Sequence, residues 1–140
     1  MVSIRPIEVW RKFWRDGIAP QISNRGLEAL RKALKRDDPG LIQGATTDPP
    51  PLEFVSHEPV TAACVVSFPG WQDGLHSVQQ VEDHFWRICH GATERASNPD
   101  ACRVFLNWWD TAKRAEAFPA LLEEVDRELE LRQRETPKAA

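Results

Sequence analysis

The residues of this 140-residue chain that could do nucleophilic or metal chemistry are three cysteines and four histidines, and several of them crowd together: Glu82, Asp83, His84, Cys89 and His90. Those are the donor types that hold zinc, yet a closed zinc site is built from paired short spacings. At about 100° per residue on a helix, Cys89 and His90 diverge by a quarter turn or more and His84 shares a face with neither. They cannot converge on one ion, so neither a metal nor any other cofactor is expected. Asp83, Arg87, His90 and Glu94 do share a face and read as a solvent-side ion ladder.

A cysteine nucleophile would pair Cys64, Cys89 or Cys102 with His57, His76 or His84. All three thiols stand in apolar sequence, which raises a thiol's pKa and leaves it inert, so they are read as buried. There is no HExxH, GxSxG, CxxC or glycine-rich phosphate loop, and the seven glycines are scattered. The balance leans away from an enzyme.

Charge is the second chemical signal. Residues 1–36 carry nine Lys/Arg against three Asp/Glu, and the remainder carries nine against eighteen. A basic front end of this kind either touches a polyanion or faces the acidic part of its own fold. Arg11, Lys12, Arg15, Arg25, Lys32 and Arg36 are the phosphate-binding candidates. With a net charge of -3, indiscriminate binding to nucleic acid or an anionic membrane is not expected. A helix-turn-helix reader would also want base-reading amides early in its second helix, where Gly26 and Glu28 stand apart from Asn24 and Arg25.

Six tryptophans are many for this length. Trp10 and Trp109 read as core. Trp71, in a turn, and Trp86, at the boundary of its helix, are the candidates for an exposed interaction surface. A third candidate site is a ligand pocket formed by Thr47, Asp48, Arg103 and Asn107 under a proline-rich connector.

The elements that must position these groups are mostly helical. Pro6 opens a helix through Trp10, Phe13 and Trp14 that Gly17 and Pro20 stop; Ser23 or Asn24 caps a second, with Leu27, Leu30 and Leu34 on its buried face. Residues 37–59 hold Pro39, Pro49, Pro50, Pro51 and Pro59, and should run extended with Leu41, Ile42, Leu52, Phe54 and Val55 laid over the core. Residues 59–68 are read as a short buried helix, because a lone strand would leave its backbone unpaired. Ser77 caps a strongly amphipathic helix on which Val78, Val81, Phe85, Ile88 and Ala92 recur. Asn98 and Pro99 start a helix to about Trp109 that is apolar nearly all round and therefore belongs in the middle. Asp110 or Thr111 caps the last helix, which Pro119 kinks or restarts. Its pairs Glu123/Arg127, Glu128/Arg132 and Glu130/Arg134 contribute a few tenths of a kcal/mol each.

The fold expected is all-α: five or six helices bundled around a central apolar helix at about 100–109, wrapped by the connector at about 37–59. Residues 1–135 form one domain and 136–140 a frayed tail. Arg5, Glu8, Arg11 and Lys12 precede any apolar run, and no 18 apolar residues follow one another. With an odd number of cysteines, this fits a cytoplasmic protein. The first functional expectation is a non-enzymatic module that binds another protein. A phosphate-binding hairpin and a ligand pocket are the alternatives, and self-association stays open.

Overall fold

A computed structural model describes residues 7–135. The helix start expected at Pro6 and the tail expected at 136–140 lie outside the described residues. The elements are α1 (Val9–Phe13), a wide π turn (Trp14–Ile18), a 3-10 turn (Ala19–Gln21), α2 (Asn24–Arg36), β1 (Thr47–Asp48), a second 3-10 turn (Glu53–Val55), β2 (Ala62–Ala63), α3 (Phe68–Gln72), α4 (Val78–Ala96), α5 (Ala101–Thr111) and α6 (Arg114–Glu135). The chain is all-α in class, with one two-residue antiparallel ladder between β1 and β2.

The first helix does not stop at Gly17. The backbone winds on through the π turn, and Gly17 is needed for close approach: a Cβ there would meet the Ala92 backbone of α4 at 3.1 Å. Gln21 ties this segment down, its Nε2 donating to the carbonyls of Gly17 (2.8 Å) and Ile88 (2.9 Å). Trp14, Ile18 and Ala19 are fully enclosed, and the π turn packs on α4, α5 and α6. The Trp14 indole nitrogen is buried without a hydrogen-bond partner among the described residues.

Two helix starts match the sequence reading. Ser23 accepts from the Gly26 amide at 3.0 Å, and Ser77 with Gln80 closes a reciprocal capping box. The last helix departs from it. Thr111 donates back to the Asn107 carbonyl at 2.6 Å, so α6 begins at Arg114 instead. It runs unbroken past Pro119. Glu128 and Glu130 meet Arg132 and Arg134 as expected, whereas Glu123 reaches Arg11 at 3.3 Å.

Residues 59–68 are not a helix. Ala62–Ala63 runs extended, its neighbours Thr61 and Cys64 donating to the carbonyls of Asp48 (2.8 Å) and Thr46 (2.9 Å), and the chain turns into helix only at Phe68. The connector folds back beside it and satisfies the backbone groups that a solitary strand would have left unpaired. On the other side, Ala63 donates to Gly40 and accepts from Ile42, each at 2.9 Å. The connector covers the core only in its first part: Leu41 is buried, but Leu52 is 48% and Phe54 81% exposed.

The enclosure expected of α5 is found instead at Trp14, Ile18 and Ala19, although Asp16 between them is exposed. Helix α5 leans on α1 and α4 and buries Ala101, Cys102, Phe105 and Trp109, while Arg103 and Asn107 face solvent and Val104, Leu106 and Trp108 are half-buried. Its start also shifts to Ala101, because Asn98 Oδ1 accepts from the Asp100 amide at 2.8 Å and makes a turn ahead of the helix. Trp108 stacks flat on Trp10, ring centroids 3.5 Å apart at an interplanar angle of 2°. The Trp109 indole donates to the Ile42 carbonyl at 3.0 Å and anchors the connector.

Candidate functional site

The basic segment separates into two groups. Arg11 and Arg15 lie four residues apart and both point inward, onto Glu124 of α6. Arg15 binds it through two nitrogens (2.6 and 2.9 Å) and Arg11 through one (3.0 Å). Glu124 is only 3% exposed. Burial alone would raise its pKa, but the bonds from Arg15 and Arg11 outweigh it and hold the carboxyl below the usual range. Arg11 also lies over the Trp10 ring at 4.6 Å. Lys12 is exposed. Arg25, Lys32 and Arg36 come together along a surface groove of about 520 Å³ that Glu28 and Asp38 also line.

The four residues expected to form a ligand pocket are not brought together. Thr47 is buried with its hydroxyl donating to the Pro49 carbonyl at 2.8 Å, and Asp48 and Asn107 are exposed. Arg103 pairs with Asp100 at 3.3 Å. What the connector does roof is a cavity of about 140 Å³ between Thr46, Cys64, Leu106 and Asp110.

The two candidate tryptophans part company as well. Trp71 is half-buried, edge-on to Phe68 with ring centroids 5.6 Å apart. Trp86 is 55% exposed and braced edge-on by Phe85 at 5.4 Å. It stands at an apolar groove of about 340 Å³ between α4 and α5, where Cys89 faces Cys102 and Pro99 and Leu106 complete the wall.

This groove holds the pairing that residue spacing did not reveal. Cys102 continues the buried Phe105/Trp109 face of α5, and Cys89, one turn after Phe85, is at the edge of the apolar stripe of α4. Those positions were the available signal; that the two edges abut is tertiary. The neighbouring Cys102 thiol favours the ionised form of Cys89 against the cost of its burial. The same proximity, with desolvation added, drives Cys102 strongly upward. Cys64 is different: burial raises its pKa, opposed by a weak thiol bond to the Ser67 hydroxyl at 3.5 Å.

Among the described residues, no three His, Cys, Asp or Glu side chains are grouped to hold a metal ion. Asp83 accepts from Gln79 at 2.8 Å, in place of the expected ladder contact with Arg87. His84 packs against Gly70, and burial followed by the Arg87 charge lowers its pKa. No helix among the described residues is long and apolar enough to cross a membrane. Comparison with protein-family models, curated proteins and solved structures gives no match.

Proposed function

We propose that this chain is a single-domain accessory module of the cytoplasm that binds another protein through the α4–α5 groove, with Trp86 as the anchor. One observation carries the reading: a tryptophan 55% exposed beside an apolar groove of about 340 Å³. Large aromatics over such depressions are the usual energetic centres of interfaces. The partner offers an apolar side chain to the groove, with a carboxylate for Arg103 and His90 at its edge. Three unbridged cysteines suit a reducing compartment.

The test compares the unmodified chain with Trp86→Ala as crosslinking baits, followed by titration of the purified partner. A protein that binds the former at least about tenfold more tightly supports the reading. Equal binding overturns it, as does crosslinking only to a second copy of the chain. A phosphate-binding function has one observation in its favour, the alignment of Arg25, Lys32 and Arg36 along one groove. Salt-dependent gel shifts decide it, and no retardation at low salt removes it.

A further inference from the structure

We infer that Cys89 and Cys102 form a two-electron thiol–disulfide site, in which Cys89 attacks a low-molecular-weight disulfide and Cys102 closes the bond behind it. The inference is independent of the docking reading, since it concerns the sulfur chemistry of the groove and not what protein covers it. Both cysteines line the same depression, Cys89 partly open to solvent and Cys102 only 6% exposed behind it. That is the arrangement of an attacking sulfur and a resolving one.

The surroundings suit both the nucleophile and its substrate. Cys102 is the second residue of α5, so the pocket that Cys89 shares with it and with Pro99 lies at the positive end of an 11-residue helix. The neighbouring Cys102 thiol adds to this, and the thiolate is the reactive form. Trp86, Pro99 and Leu106 give an apolar wall for the carbon chain of a small disulfide, while His90 and Arg103 at the rim suit one that carries carboxylates.

The steps balance without a metal or an external electron carrier. The Cys89 thiolate forms a bond to one sulfur of the disulfide, whose S–S bond breaks; the first thiolate leaves and takes up the proton that Cys89 released. Cys102 then releases its proton and attacks the Cys89 sulfur, and the second thiolate leaves and takes that proton up. Two protein S–H groups become one S–S bond, and one small disulfide becomes two thiols. Cys64, 2% exposed and bonded to Ser67, serves as an internal reference that should not react.

The experiment incubates the full chain with glutathione redox buffers of graded ratio, quenches with acid, alkylates the remaining thiols and maps the products by mass spectrometry. The expected result is a Cys89–Cys102 crosslink that titrates as one two-electron transition while Cys64 stays alkylated. Cys102→Ser should stop at a glutathione adduct on Cys89, and Cys89→Ser should react at least about tenfold more slowly. A persistent adduct on Cys89 of the unmodified chain without a crosslink, or both thiols still alkylated at the most oxidising ratio, overturns the assignment. The unmodified chain decides this even if a variant fails to fold.

Discussion

The face where α1 and α2 meet α6 and the face between α4 and α5 use their reactive side chains in opposite ways. On the first, charge is consumed internally. Glu124 takes three bonds from Arg11 and Arg15. Arg114 reaches Asp37 at 2.5 Å and the carbonyls of Asp38 (2.7 Å) and Leu41 (2.8 Å), with its guanidinium over Phe118. Arg31 meets Asp126 at 2.7 Å. On the second face an exposed tryptophan and two thiols are left beside an apolar groove. Three arginines of the basic run that dominates the sequence, Arg11, Arg15 and Arg31, therefore fasten the first two helices to the last, and the reactive thiols sit elsewhere.

Substitutions ordered by expected effect can break this contrast. Trp14→Ala, at the enclosed centre, should destabilise by about 3–5 kcal/mol in urea unfolding; a loss below about 1 kcal/mol would mean that the π turn is not the heart of the packing. Glu124→Gln should cost about 2–3 kcal/mol, since it strips the counter-charge from two partly buried guanidinium groups. Its pH signature is distinctive. The Glu124 pKa is lowered on folding, so the stability it contributes is complete above the unfolded-state value and is lost as pH falls through the folded one. The gap between the unmodified chain and Glu124→Gln should thus close on acidification below about pH 4; a pH-independent gap would assign the cost to packing alone.

Trp86→Ala should shift stability by less than about 1 kcal/mol while reducing partner binding, because a side chain this exposed contributes little to the core. A larger thermal loss would make Trp86 structural and weaken the docking reading. The double substitution Lys32→Ala and Arg36→Ala should fall within about 0.5 kcal/mol of the unmodified chain in the same unfolding assay. A larger cost would place those residues in the same fastening as Arg11 and Arg15.

Much of the helical framework was legible from local chemistry. Ser23 and Ser77 cap the helices they precede, and Leu27, Leu30, Leu34, Val78, Val81 and Ile88 are buried at the helical period that marks them. What escaped is what depends on distant neighbours. The extended path of residues 60–64 rests on pairing with Gly40–Ile42 and Thr46–Asp48, and no period within 59–68 announces it. The one-sided burial of α5 depends on how many helices surround it, which its own composition does not encode. Glu124 looks the same as Glu123 in sequence, yet one is buried under two arginines and the other is exposed. The juxtaposition of Cys89 and Cys102 follows from the α4–α5 contact, so only their positions along two apolar stripes hinted at it.

The flat pairing of Trp10 on Trp108 has an optical consequence. Two parallel indoles with centroids 3.5 Å apart couple their electronic transitions, and the near-ultraviolet band they share is a gauge of whether the first helix is seated on the fifth. Detachment of that short opening helix would extinguish the band while the long helices still report an intact backbone, which makes the molecule its own indicator for the loosening of one end.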